Sequence, residues 1–293
     1  MKRATRLLLL KTLALFSVVR WWNIVLLIAA QYLTAIFVLN DPAHFLNTIA
    51  DPLLHFLVLS TGLVVASGFI INNFYDKEKD LVNRPKQTAF ELMLSQPTAL
   101  NLYLLFNLLA LVISAGISFR AVLFFTAYAL SLWLYSHKVK KLPVVANVIK
   151  ALLTFVPFFA VFIYYKIPHW GLASYAFFLF TLELGRALVK DVVFLKGDVI
   201  YNYPTVPVLT GRMGLKRHLM AINLSGWAFV FAIYYHSQPF SPLLGYFLLC
   251  CMLLQSMTAV ILSRWLGKPQ KANWLHNLYK AILIAGIAML PFL

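Results

Sequence analysis

The sequence predicts an all-α integral membrane protein, a bundle of nine transmembrane helices, and three observations carry that prediction. Of its 293 residues, 62% are Ala, Val, Ile, Leu, Met, Phe, Trp, Tyr or Cys and only 12% are charged, whereas a soluble domain is about 45–50% apolar and about 25% charged. The mean hydropathy is +0.81. Several uninterrupted apolar runs reach about 20 residues, enough for a helix to cross a roughly 30 Å hydrocarbon core. A soluble globule, a disordered chain and a β-barrel are excluded on these grounds. Nine spans would use about 180 residues and leave only termini and short connections, so a single domain over residues 1–293 is expected.

The elements follow in order. Lys2, Arg3, Arg6 and Lys11 surround the run Leu7 to Leu10 with no small-residue cleavage site after it, which reads as an amphipathic helix retained in the mature chain rather than a signal peptide. Trp21 and Trp22 open the first span, 20–39, as an interfacial belt. Asp41 and Asp51 occupy a solvated connection to the second span, 53–75. Spans at 98–118 and 120–136 follow, then 144–165, which contains Pro157, and 170–194. The last three are 215–236, 241–264 and 272–292; the adjacent Cys250 and Cys251 lie in an apolar run without any metal-ligand spacing and read as packing residues.

The net charge of +16, from 25 Lys and Arg against 9 Asp and Glu, would suggest nucleic acid in a soluble protein. Sorted by connection, however, twenty basic residues fall on the N-terminal side of the membrane and only Arg120 and Lys166 on the opposite side. The positive-inside rule then puts the N-terminus and the even-numbered connections in the cytoplasm and the C-terminus outside, as in a multi-pass inner-membrane protein, and anchoring to anionic membrane lipid accounts for the charge. Nucleic acid is not needed as a partner.

Apart from Asp41 and Asp51, the acids are Asp76, Glu78, Asp80, Glu91, Glu183, Asp191 and Asp198, all at or near the expected cytoplasmic ends of spans. If the second helix continues through Asn72-Asn73-Phe74-Tyr75-Asp76-Lys77-Glu78-Lys79-Asp80, then Asn72, Asp76 and Asp80 recur at i, i+4 and i+8 on one stripe. Asp191 and Asp198, seven apart, would share a face at the end of the sixth span. Asp76 and Asp191 are 115 residues apart, or four helix-and-loop units. That spacing implies two four-helix halves plus a ninth helix, with the acidic faces brought together.

Carboxylates opposed at about 6 Å repel by roughly 3 kcal/mol at an effective dielectric of about 20, and charges below the headgroups cost about 2.5–3.5 kcal/mol more each. Lys77, Lys79 and Lys190 could compensate as ordinary surface pairs. Hard oxygen ligands on two helices also suit Mg²⁺, which takes one or two carboxylates and completes its shell with water and substrate phosphate. Arg84, Lys138, Lys140, Lys141, Lys190, Lys196 and Arg212 lie nearby and would carry the remaining charge of a diphosphate. The Phe-, Tyr- and Trp-rich spans beneath could line a cavity for an apolar chain as well as face lipid.

These residues resemble the UbiA superfamily of intramembrane prenyltransferases. The family's first motif, Asn-Asp-x-x-Asp-x-x-x-Asp followed by Asn-Arg-Pro, is matched at all but one place by Asn72 to Asp80 with Asn83-Arg84-Pro85; the second is similar to Lys190-Asp191 with Gly197-Asp198. Arg20-x-x-Asn23, Tyr135-Ser136 with Lys140, Pro143 and Asn147, and Thr205-x-Pro207 extend the likeness over the whole chain. The resemblance implies a nine-helix bundle with a cytoplasm-facing polar pocket open laterally to lipid, which transfers an isoprenyl group from its diphosphate to an acceptor. It implies Asp76, Asp80, Asp191 and Asp198 as Mg²⁺ ligands, Asn72 in support, Arg84, Lys140 and Lys190 on the diphosphate, and Asn23 and Tyr135 lining the pocket. The stretch from Tyr135 to Asn147 looks most like the branch of digeranylgeranylglyceryl phosphate synthases, which prenylate a glycerol-phosphate lipid precursor; an aromatic acceptor remains open.

Two positions depart from the family. Asn73 and Phe194 stand where it has acids, leaving four motif carboxylates in place of six, so weaker metal binding, one ion instead of two, and loss of transfer are all open. Two other functions compete: a terpene cyclase, in which the chain's own double bond captures the cation, and a transporter or binding protein on a degenerated scaffold. A transporter should show broken helices near mid-membrane in both halves; Pro157 has no counterpart in the first.

Overall fold

The computed structural model describes residues 3–167, 169–266 and 268–293. Among these residues the structure is helical throughout, with no strand. Helix α1 spans Arg3–Val19, α2 Trp21–Leu33, α3 Phe45–Ile49, α4 Pro52–Asn83, α5 Pro85–Glu91, α6 Gln96–Ala115 and α7 Phe119–His137. Then come α8 Val145–Tyr165, α9 Trp170–Val193, α10 Leu195–Ile200, α11 Val206–His236, α12 Pro242–Ile261 and α13 Pro269–Ala288.

Eight of the described helical segments are long and apolar enough to cross a membrane, the first at Trp21–Val38 and the eighth at Pro242–Trp265. They match the first eight predicted spans. Helix α13 stands where the ninth span was expected and has the length, but Gln270, Lys271, Asn273, His276 and Asn277 make its first half polar, and it is not one of the eight.

Three breaks interrupt the helices, and the one at Phe194 departs from the expected pattern. Arg20 adopts a left-handed backbone (φ 51°) and separates α1 from α2. Phe194 (φ −99°, ψ 13°) ends α9, so Asp191 and Asp198 lie on successive helices rather than on one continuous face. Gly211 (φ 59°, ψ −156°) breaks α11 near its start, a conformation open to glycine because it has no Cβ.

The helices group into two compact units. In the unit formed by Met1–Ala29 and Ile49–Val139, α4 is central and packs against α6, α7, α1 and α5. Its contact faces are rich in small residues, among them Ser60, Gly62, Ala66, Ser67 and Gly68, which let membrane helices approach closely without a hydrophobic driving force between them. The Ser67 hydroxyl donates to Asn107 Oδ1 at 2.9 Å, tying α4 to α6. Buried Val18, Val19, Ala66, Ile70 and Leu94 form a core that seats α1 against α4. The exposed side of α1 carries Leu8, Leu9, Leu13 and Phe16, as an amphipathic interfacial helix would.

In the unit formed by Ala30–Thr48 and Lys140–Leu293, α9 is central, against α8, α11 and α13. Buried polar side chains link these helices: Tyr175 Oη donates to Gly286 O at 2.7 Å, Gln255 Nε2 to Thr181 Oγ1 at 3.2 Å and Tyr279 Oη to Thr258 Oγ1 at 3.1 Å. At Gly185 a Cβ would sit 3.0 Å from Tyr279 Oη, so α9 meets α13 through a glycine.

Candidate active site

In the first unit the chain runs as helix from Pro52 through the acidic stretch without interruption, so Asn72, Asp76 and Asp80 do fall on one stripe. Asp76 is half-buried and Asp80 is only 6% exposed. The helix stops where Pro85 excludes the α conformation from the residue before it: Arg84 is extended (φ −145°, ψ 62°), its N–H still bonded to Asp80 O at 2.8 Å, and Pro85 opens α5 in a new direction. This corner brings Arg84 Nη2 to 2.5 Å from Asp80 Oδ2, an ion pair with both side chains largely buried.

The same corner returns Glu91 to the acidic stripe. Glu91 is 4% exposed and accepts from Asn73 Nδ2 at 2.7 Å, Ser17 Oγ at 2.9 Å and Gln87 Nε2 at 2.8 Å. Glu91 on α5 thus sets a carboxylate against Asn73, the position at which the resemblance led to the expectation of an acid. Glu91 and Asn73, with Val18, Phe74, Lys77 and Leu94, line a shallow cleft.

Arg20 completes the cluster. Its guanidinium lies 5.1 Å from the centroid of the Phe69 ring. Burial, then the Arg84 charge, push its pKa down, against the opposing pull of Asp80, Glu91 and Asp76. For Arg84 burial acts downward too, but the hydrogen bond and charge of Asp80, followed by Glu91 and Asp76, outweigh it and the pKa rises. Two guanidinium groups therefore share the field of three carboxylates. Tyr135 is half-buried on α7, whereas Asn23 is exposed on α2.

In the second unit Asn147 Nδ2 on α8 donates to Asp191 Oδ2 at 2.8 Å. Asp198 is 1% exposed, on α10, and its carbonyl accepts from Tyr203 N–H at 2.8 Å. Lys190 Nζ stands 5.1 Å from the centroid of Phe194, so the aromatic ring at the second departure holds a neighbouring cation by its face. Lys140 is half-buried on a 3₁₀ turn after α7.

Within each unit, among the described residues, no three His, Cys, Asp or Glu side chains converge on a single metal position. Asp76 and Asp80 lie one turn apart on α4, whereas Asp191 and Asp198 stand on successive helices; their hard oxygens suit Mg²⁺, which takes only one or two carboxylates.

A model of the UbiA prenyltransferase family matches residues 33–278. The chain belongs to that family. Among curated UbiA-type relatives, the digeranylgeranylglyceryl phosphate synthases of Thermococcus gammatolerans and Pyrococcus abyssi are each 33% identical, over 55% and 58% of this chain. The matched stretch spans 57% and 60% of those two relatives' length. The fold agrees with solved UbiA structures: a homolog from Archaeoglobus fulgidus bound to GPP and Mg²⁺ superposes with a TM-score of 0.68 at 18% identity, covering 96% of this chain and all of the other. The apo homolog from Aeropyrum pernix gives 0.66 at 14% identity, over 90% of this chain and 97% of that one.

Two functional candidates were not singled out from sequence. Glu91 was noted only as one of the acids, because nothing in its spacing shows that the Pro85 corner folds it back 18 residues to Asn73. Asn147 was noted only for its likeness to the family, and its donation to Asp191 requires α8 to pack on α9. Replacing Glu91 with Ala is expected to leave three donors without their acceptor and to lower stability by about 2–3 kcal/mol. Reversible SDS titration in mixed micelles measures this, and Glu91→Gln, which keeps one oxygen, should lose about half as much.

Proposed function

We propose that this chain is a single-domain, Mg²⁺-dependent prenyltransferase that moves an isoprenyl group from an allylic isoprenyl diphosphate to a glycerol-phosphate lipid precursor. The observation that carries the reading is the cluster of buried Asp80 and Glu91 and half-buried Asp76 in the field of Arg20 and Arg84 at the end of a membrane helix. A membrane protein tolerates so many charges there only when a site requires them. The lipid-precursor acceptor is supported by the relatives named digeranylgeranylglyceryl phosphate synthase.

In this reading Asp76 and Asp80 in one unit, and Asp191 and Asp198 in the other, would be the Mg²⁺ ligands, and the ion would supply positive charge to the diphosphate oxygens. Asn72 supports Asp76 from one helical turn away. Arg84, Lys140 and Lys190 take the charge that grows on the diphosphate as the allylic C1–O bond breaks and its electron pair leaves with the phosphate oxygen. The acceptor hydroxyl oxygen then bonds to C1 and gives up its proton to an oxygen of the departed diphosphate. Tyr135 lines the pocket, and the apolar helix walls exclude water that would otherwise capture the cation. Helix α13 is the ninth span, with the N-terminus and the carboxylate ends of the helices in the cytoplasm, following the basic-residue asymmetry.

The test is diphosphate release by the purified chain in detergent from C15 and C20 allylic diphosphates. Release is expected to require Mg²⁺, to stop with EDTA, and to be stimulated by a long-chain glycerol ether phosphate more than by hydroxybenzoates or naphthoates. Release that persists in EDTA would overturn the reading.

A further inference from the structure

Helix α1 has two unlike halves. From Ala14 onward it is seated in the first unit: Ala14, Val18 and Val19 are buried, Leu15 packs on the same core, and Ser17 Oγ donates to Glu91 Oε1 at 2.9 Å. From Thr5 to Leu9 every side chain is exposed. Leu8, Leu9, Leu13 and Phe16, each 47–67% exposed, fall on one arc of about 140° at 3.6 residues per turn. Thr12, within that arc, returns its hydroxyl to Leu8 O at 3.0 Å and so satisfies it inside the helix. The outer arc of α1 is therefore largely hydrocarbon, opposite the face that packs on the bundle.

Charge and depth say what covers it. Arg6 and Lys11, both exposed, flank the arc on its two sides, and no acid occurs before Asp41. Directly after α1 come Trp21 and Trp22, 47% and 55% exposed, with their rings edge to face at 5.3 Å; exposed indoles of this kind sit at headgroup level. A helix about 25 Å long that leaves the bundle at that level, apolar on its outer arc and basic at the edges, fits the plane of an anionic lipid surface.

We propose that α1 docks on the anionic surface of the adjoining lipid leaflet, and that this docking holds the carboxylate end of α4 in its working arrangement. Two links carry the effect. Glu91, which accepts from Ser17, also accepts from Asn73 on α4 and Gln87 on α5, so displacement of α1 pulls on both helices of the Pro85 corner. Arg20, next to the last residue of α1, has a left-handed backbone (φ 51°), which a residue other than glycine keeps only where its surroundings hold it, and its guanidinium rests on the Phe69 ring of α4. Lipid can bias the site only by as much as it favours the seated position of α1 over a detached one, so the headgroup charge is the controlling variable. The lipid contact stands on α1 itself; only the consequence for catalysis rests on the transferase reading.

The experiment follows amide hydrogen exchange by mass spectrometry in the full chain, in nanodiscs of phosphatidylcholine alone or mixed with phosphatidylglycerol. Anionic lipid should slow exchange in α1 by about tenfold or more, since each basic side chain near such a surface contributes about a fivefold preference, and should slow α5 as well. The double variant Arg6→Gln, Lys11→Gln, altered only at exposed positions, should exchange within about twofold in the two lipids. Ser17→Ala should keep the lipid response of α1 and lose that of α5, while Ser17→Thr, which keeps a hydroxyl, retains both. Equal exchange of wild-type α1 in neutral and anionic nanodiscs would overturn the docking; an α5 response in Ser17→Ala as large as in wild type would overturn the transmission. With diphosphate release measured in the same nanodiscs, stimulation by anionic lipid should be lost in Ser17→Ala. A chain that releases no diphosphate in either lipid would refute the transferase reading and leave the exchange result standing.

Discussion

Replacing Asp76 or Asp191 with Ala is expected to reduce Mg²⁺-dependent diphosphate release by about 10²–10³-fold. Each residue is half-buried; Asp191 follows Lys190 directly, and Asp76 lies one helical turn before Asp80, the partner of Arg84. Loss of either carboxylate removes a hard ligand that Lys or Arg cannot replace, so excess Mg²⁺ should recover only part of the rate. Asp41→Ala supplies the control, because that carboxylate is exposed, accepts from Ala43 N–H at a short turn and otherwise meets the exposed ring of His44 at 3.4 Å. A steady-state rate within about threefold of wild type in both Asp76→Ala and Asp191→Ala would exclude the assigned roles.

Removing Arg186 is expected to produce the largest loss of stability, about 3–5 kcal/mol for Arg186→Met. Its partner Glu183 is 2% exposed in the interior of α9, and the guanidinium engages both carboxylate oxygens. The substitution preserves much of the apolar stem but strands an ionised group in a low-dielectric helix interface. The double variant Glu183→Gln, Arg186→Met should regain most of the loss, since two neutral side chains of similar shape leave no uncompensated charge. Reversible SDS titration distinguishes these cases; a single variant that loses less than about 1 kcal/mol would show that the pair is not needed to hold α9.

Much of the architecture was legible because the membrane imposes it. Apolar runs of spanning length can satisfy their backbone only as helices, and the stripe through Asn72, Asp76 and Asp80 could be read because no Gly or Pro interrupts α4 between Gly68 and its end. The asymmetry of the basic residues supplies an expectation of sidedness. What stayed hidden depends on contacts between helices. Phe194 carries no breaker signature, yet α9 ends there and the two acids of the second motif part onto separate helices. Likewise Glu183 looked like another acid at a span end, although it lies ten residues inside α9 against an arginine one turn away. The partnership of Asn73 with Glu91 depends on the direction the chain takes after Arg84, which local spacing does not specify.

That partnership also means an aspartate cannot simply be introduced at position 73. With Asn73 already 2.7 Å from a Glu91 oxygen, Asn73→Asp would set two anions against each other, a repulsion of about 4 kcal/mol at an effective dielectric of about 20. One of them would have to take up a proton or swing away, releasing Ser17 and with it the seat of the interfacial helix. Positions 73 and 91 are therefore coupled through one hydrogen bond, and placing an acid at position 73 requires changing both at once.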